Sequence, residues 1–256
     1  MSNERFYFIT ILFFFINTFI TAQVNVEKYR QNQAQLGFSG SVELDISLNT
    51  GNKDVQELGL DGFIDFKSEN YLTFLIVRGD YGWQNGVSFS DEALGHLRYI
   101  YTSSDPLKLE IFTQFDYNKQ RLLLNRYLGG MGLRFNIYET PGISVKFGSA
   151  YMIELEKYDL PANSVKDNKV TAHRWSNYLT GRIKLSDNTQ IALVVYIQPK
   201  ITRWKDFRVL TENSLIVNIS GSFSLSVGFN LRYDSDLIPD IKDTDTKTKV
   251  GLVYQF

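Results

Sequence analysis

The chain has 256 residues, a formal net charge of −1, no cysteine and 14% aromatic residues. Near-neutral charge excludes a global field that would draw it to nucleic acid, and the lack of cysteine excludes a disulfide framework, lipid attachment through cysteine and thiol redox chemistry. Beyond Ala22 no apolar run approaches the roughly 20 residues of a spanning helix, so any membrane crossing by the rest of the chain must be made by strands.

Phe6 to Ala22 is an apolar run rich in Phe, Ile and Leu, with Arg5 before it and Ile20-Thr21-Ala22 at its end. It is short for a spanning helix and finishes in small residues, so residues 1–22 read as a secretory signal peptide cleaved after Ala22. Glu4 offsets Arg5, which leaves an uncleaved anchor as the alternative. Residues 23–36, polar and rich in Gln and Asn, read as a periplasmic lead-in.

From Gly37 the chain breaks into about twelve segments of period two, the signature of strands with two unlike faces. In the first, Phe38, Val42, Leu44, Ile46 and Leu48 alternate with Ser39, Ser41, Glu43, Asp45, Ser47 and Asn49. Similar stripes run through 55–67, 71–83, 93–102, 107–118, 123–138, 143–156, 172–185, 189–203 and 208–220. The clearest is 222–234, where Phe223, Leu225, Val227, Phe229, Leu231 and Tyr233 alternate with serines, Gly228, Asn230, Arg232 and Asp234. The last is 246–256. On this register an Arg at Val227 should meet lipid and one at Ser226 should meet water or carboxylates.

Short turns at 68–70, 103–106, 139–142, 186–188 and 220–221 interleave with other connections, of which 157–169 and 235–245 are long. Both long loops fall at one end, the arrangement of outer-membrane barrels. Trp83, Trp175 and Trp204 gather near that same end, where an aromatic girdle belongs. An open sheet would leave unpaired backbone edges in lipid, so the sheet must close. The expected fold is therefore all-β: one antiparallel transmembrane barrel of about twelve strands over residues 37–256.

The chain finishes Lys249-Val250-Gly251-Leu252-Val253-Tyr254-Gln255-Phe256, with Val250, Leu252, Tyr254 and Phe256 on one face. Lys249, Gly251, Tyr254 and Phe256 resemble the C-terminal signal by which barrel-assembly machinery recognises outer-membrane barrels. Thr50-Gly51-Asn52, Asp206-Phe207-Arg208 with Glu212, Arg232-Tyr233-Asp234-Ser235 through Pro239, Asp243-Thr244-Asp245-Thr246 and the Gly251-to-Phe256 ending complete a wider likeness. With these, residues 37–256 resemble an uncharacterised bacterial family of salt-induced outer-membrane proteins, a domain of unknown function. The resemblance implies an outer-membrane barrel and a link to osmotic or salt stress, and the family has no established activity or catalytic residues to carry over.

Alternation turns Glu43, Asp45, Asp61, Asp65, Asp80, Glu110 and Asp116 inward from the first five strands, against Lys67, Arg78, Arg98 and Lys108. The later strands turn inward Arg126, Arg134, Lys146, Arg174, Arg182, Lys184, Lys200, Arg208, Arg232 and Lys249, against Glu154, Glu156, Glu212 and Asp234. An acidic wall thus faces a basic one. Because the first and last strands close the barrel, Glu43 and Asp45 are expected near Arg232 and Lys249. One reading is a salt-bridged plug, giving an envelope structural protein; the other is a narrow porin-like channel for small anions or acidic oligosaccharides.

An enzyme is the remaining class, since one outer-membrane phospholipase class carries a Ser/His/Asn site on a barrel of this size. His96 and His173 are the only histidines. His96 should point inward beside Arg98, and alternation sets His173 and Ser176 on opposite faces, so no catalytic residue is assigned. Asp234, Asp236, Asp240, Asp243 and Asp245 suggest a divalent cation, but their spacing matches no calcium loop and a solvated acidic loop is the expectation. No cofactor or metal motif is read, and the partners expected are outer-membrane lipid, the assembly machinery and small solutes or ions, with no nucleic acid.

Overall fold

A computed structural model describes residues 36–49, 55–84, 87–102, 106–162, 164, 166–236 and 241–256. The signal peptide, nearly all of the lead-in, Thr50-Gly51-Asn52, Pro239 and Asp240 lie outside the described residues. The strands are β1 (Gly37–Asn49), β2 (Val55–Lys67), β3 (Tyr71–Gln84), β4 (Val87–Tyr101), β5 (Leu107–Asn118), β6 (Leu123–Glu139), β7 (Ile143–Tyr158), β8 (Lys169–Lys184), β9 (Thr189–Lys200), β10 (Arg203–Ser220), β11 (Phe223–Asp234) and β12 (Thr244–Gln255). Each pairs antiparallel with its neighbours in sequence, and β1 pairs with β12, so the sheet is a closed barrel.

The largest departure from the sequence stripes is the start of β4. Its first residues alternate only briefly, Val87 and Phe89 against Ser88 and Ser90, before Asp91-Glu92 interrupts the stripe, yet they continue the ladder to β3 past a register shift between Gly82 and Trp83 as far as Gln84↔Val87. Backbone pairing needs no apolar side chain, and a bulge shifts the alternation by one residue. The β1/β12 seam runs from Ser41↔Gln255 to Asp45↔Gly251, much shorter than β1/β2, which runs from Gly37↔Lys67 to Asn49↔Val55. It is extended by the terminal residue: Gly40 N–H donates to the Phe256 carbonyl at 3.0 Å and Phe256 N–H donates back at 3.0 Å.

Outward positions carry exposed Leu, Ile, Val and Met from every strand, among them Leu44, Leu60, Val77, Leu97, Met131 and Val227. A contiguous apolar belt of this extent suits lipid. Aromatic rings border it at both ends. At the short-turn end Phe38 lies 4.7 Å from Phe66, Tyr71 5.6 Å from Tyr99, and Phe223 5.1 Å from Tyr254. At the long-loop end Tyr81 lies 4.5 Å from Trp83, Phe115 5.2 Å from Tyr127, and Phe207 5.6 Å from Tyr233. Trp175 and Trp204 are exposed at that end too. The tryptophans alone had indicated one girdle; cross-strand pairing assembles two.

Candidate functional site

The lumen differs sharply between its ends. In the short-turn half, inward side chains from all twelve strands are out of contact with solvent: Ser41, Asp61, Phe74, Ile100, Phe112, Arg134, Ser144, Tyr178, Val194, Ile216, Ser226 and Val253 are each at most 5% exposed. Phe63, Leu72, Phe74, Ile76 and Ile100 pack into one apolar cluster, and Phe112, Leu128, Ala150 and Met152 into another. These residues were not anticipated inside. The signal was present in Leu75-Ile76-Val77, where consecutive apolar residues make β3 apolar on both faces, as in a doubly buried strand.

Two polar groups are held within this packing. Arg98 lies 4.8 Å from the Phe112 ring centroid and 5.6 Å from that of Tyr178, and its Nη1 donates to Glu110 Oε2 at 3.3 Å. Tyr178, on β8, donates to the same Glu110 oxygen at 2.7 Å, and Arg134 sits 6.0 Å from its ring. The contact reaches past β7 and β6 from β8 to β5. It is possible because β7 presents Gly148 there; any Cβ at that position would overlap the Tyr178 ring. His96 points inward beside Arg98, stacked between Phe74 and Phe112, with Nδ1 2.9 Å from Gln114 Oε1.

Toward the long-loop end the inward groups are ionic. On one side Lys249 donates to Asp45 at 3.2 Å and to Asp80 at 2.5 Å, and Lys247 lies 3.1 Å from Asp80. Arg78 bridges Asp61 at 3.1 Å and, across the barrel on β10, Glu212 at 2.9 Å. On the other side Glu154 is a hub, accepting from Arg174 at 2.7 Å and Arg208 at 2.8 Å, with Arg126 at 3.9 Å. Arg208 also binds Glu156 at 2.8 Å and Asp234 at 2.7 Å, Arg126 binds Asp116 at 2.8 Å, and Arg174 binds Asp206 at 3.1 Å.

The expected acidic and basic walls therefore neutralise each other and do not stand opposed, because tilted strands and long side chains let the two sets meet. Glu43 and Asp45 do approach the seam, Glu43 accepting from Ser226 at 2.7 Å. Gly251 on β12 is what admits it: a Cβ there would come within 2.6 Å of Glu43 Oε1. Arg232 does not join them; its electrostatic neighbours are Arg121, Arg126, Arg208 and Asp234. Asp65 contacts Ser39 near the short-turn rim, and Arg182 is half-buried low on β8. Lys146 lies 3.9 Å from Glu139. Lys184 departs from the expected lumen position: it is exposed on the short-turn rim, paired at 3.0 Å with Asp187 of the turn. Lys200 lies at the opposite rim, 3.5 Å from Asp206. Tyr254 and Phe256 are outward, their rings 6.2 Å apart.

Above the packed half is a cavity of about 380 Å³, bordered by Arg78, Asp80, Glu92, Arg126, Arg232 and Lys249 among others. Leu123 and Ile241, which line it, belong to an apolar cluster with Tyr158 and Leu160, against which Leu122 and, from β8, Val170 also pack. Lys166 and Arg203 clasp Asp236 at 2.9 and 2.6 Å, tying the two long loops to the start of β10. Of the acidic loop residues, Asp234 serves Arg208 and Asp245 serves Arg121 at 2.9 Å. Among the described residues no group of carboxylates converges as a cation site. His173 is outward, with Nδ1 2.6 Å from Tyr151 OH, whereas Ser176 is inward and accepts from Gln198 at 3.1 Å.

The profile of the family described as "Protein of unknown function, DUF481" matches residues 42–256. Among curated proteins none matches the chain. Among solved structures, an outer membrane channel from Pseudomonas putida F1 is similar with a TM-score of 0.55 at 9% identity, covering 91% of this chain and 100% of that one. The translocator domain of the autotransporter NalP from Neisseria meningitidis gives 0.52 at 12% identity, covering 91% and 92%. The NanC porin gives 0.51 at 11% identity, covering 84% and 98%. At these identities the likeness is one of fold: a closed twelve-strand barrel of the outer-membrane type.

Proposed function

The chain belongs to the family described as "Protein of unknown function, DUF481", and we propose that it is a non-enzymatic barrel of the bacterial outer membrane whose lumen is sealed against diffusion. In this reading residues 1–22 are removed on export, the final strand is the contact for the barrel-assembly machinery, and the protein acts through its outward-facing vestibule and loops. The observation that carries it is the complete ring of buried inward side chains in the short-turn half. A path for ions needs a continuous water-filled lumen. The belt between two aromatic girdles supports the outer-membrane placement, and the separation of His173 from Ser176 supports the absence of acyl-transfer chemistry. The resemblance adds salt-induced expression, which transcript levels at graded osmolarity would test.

Planar-bilayer recording of the refolded protein tests the seal. The expected result is a folded, heat-modifiable barrel without steady single-channel current. The ionic cavity at the long-loop end favours a second reading, a narrow channel. It would show small currents whose anion preference falls when Arg126, Arg134 and Arg182 become Gln, with the effect shrinking at high salt. Independently, replacing Tyr254 and Phe256 with Ala should lower the amount of assembled barrel, because the seam loses its ring contacts and the C-terminal pattern. Normal levels of the double variant would refute the role of the ending.

A further inference from the structure

Nearly every charge around the vestibule is spent on another side chain. Arg78, Arg126, Lys247 and Lys249 all hold carboxylates, and Arg121 holds Asp245. Arg232 is different. It is half-buried in the cavity wall, its Nε has no hydrogen-bond partner, and it forms no ion pair among the described residues. Asp234, two residues along the same face, is taken by Arg208 at 2.7 Å. Arg121, Arg126 and Arg208 also act on it, and Asp245, its cross-strand neighbour on β12, is held by Arg121, so Arg232 stands among more cations than free carboxylates. A half-buried guanidinium left this way is destabilising unless an anion completes it, and its planar donors suit a carboxylate or phosphate.

The same cavity has an acidic counterpart. Glu92 on β4 is half-buried in its wall and forms no ion pair among the described residues. It senses Lys247, Lys249 and Arg232 without bonding any of them, since Lys247 and Lys249 both hold Asp80. β4 and β11 lie nearly opposite in the ring of strands, so the barrel holds Glu92 and Arg232 on facing walls. Leu94 and Leu210 line the space between. At about 380 Å³ it is of a size to enclose a small molecule.

We propose that the vestibule binds a small zwitterion, its anionic group held by Arg232 and its ammonium group by Glu92. A simple anion would satisfy Arg232 and leave Glu92 bare; a molecule carrying both charges, joined by a short apolar stem, satisfies both at once. Because the site is balanced, it does not require the field of a charged wall, and ligand size and charge separation set its selectivity. This goes beyond the sealed-barrel reading and does not depend on it: a barrel that conducts and still binds zwitterions would overturn the seal alone.

The test is calorimetry on the refolded full chain at low ionic strength, with β-alanine and γ-aminobutyrate as zwitterions and propionate and propylammonium as matched single charges. At least one zwitterion should give saturable heat, with the single charges about tenfold weaker or more, since each makes only one charge-assisted contact. Arg232→Gln should reduce the zwitterion to the level of propylammonium, and Glu92→Gln should reduce it to the level of propionate. If Arg232→Gln does not fold to a heat-modifiable barrel, Arg232→Lys replaces it and should still weaken binding, because the planar donor pair is lost. Absence of saturable heat for both zwitterions, propionate binding equal to the better zwitterion, or binding indifferent to both Arg232 and Glu92 would overturn the proposal.

Discussion

The two halves of the lumen are built from the same strands and the same alternation, yet they are held together by different means. In the short-turn half, rings and aliphatic side chains fill the space, and Arg98, Glu110 and Tyr178 are tied together within them. In the long-loop half charge is paired with charge around a cavity, and bulk water is close. Apolar packing is local and additive, and its loss leaves a void. A buried ion network is collective, and removing one member strands the others. The comparison therefore predicts that damage to the first half opens a path, whereas damage to the second loosens the barrel without opening one.

The largest effect is expected from combining Phe74→Ala with Tyr178→Ala. Each deletion of a buried ring costs about 3–5 kcal/mol, and together they remove the Tyr178–Glu110 contact and a central ring of the apolar cluster. Urea midpoints should fall steeply, and the protein that still folds should carry current where the parent carries none. A folded double variant that remains silent would show that the seal lies elsewhere.

Next comes Arg208→Gln, which leaves Glu154, Glu156 and Asp234 each short of a partner. Breaking such a buried network costs about 3–5 kcal/mol, read as a lower urea midpoint with conductance still absent. Slightly smaller is the facing test: Val227→Arg on the lipid side should cost about 2–4 kcal/mol near the membrane midplane. Ser226, read from the sequence as its watery control, is instead 1% exposed and bonded to Glu43. The proper control is Asn230→Arg, which faces the vestibule. Equal folding yields for Val227→Arg and Asn230→Arg would place the register wrong by one residue.

The smallest effect belongs to the rim clasp. Burial pushes the Asp236 carboxyl up, but hydrogen bonds and charge from Lys166 and Arg203 outweigh it and hold the group below its ordinary value. A depressed folded-state value means that the stabilisation is fully present above the unfolded value of about 3.9 and is lost as pH falls through the folded one. For the partly exposed Lys166–Asp236 pair it amounts to no more than about 1 kcal/mol. Asp236→Asn should speed proteolysis or amide exchange of the loops at neutral pH and match the parent in acid well below pH 4.

Which residues face lipid and which face inward was legible from the chain, because a strand turns every second side chain the same way and lipid tolerates only one kind. Phe223 to Phe229, Val42 to Ile46 and the Val250-to-Phe256 stripe all point where their alternation put them. Closure followed from the cost of an open edge in lipid. Partnership within the lumen was another matter. That Lys249 meets Asp80, that Arg78 reaches Glu212 and that Tyr178 reaches Glu110 depends on strand register, on the twist that brings distant strands level, and on the room left by Gly148 and Gly251. The sequence by itself determined a two-faced sheet that had to close. Only the tertiary structure decided that the interior is closely packed at one end, ionic and hollow at the other, and that Arg232 and Glu92 form no ion pair among the described residues. The reason is that facing is a property of one strand, whereas pairing across a lumen is a property of strands far apart in the chain.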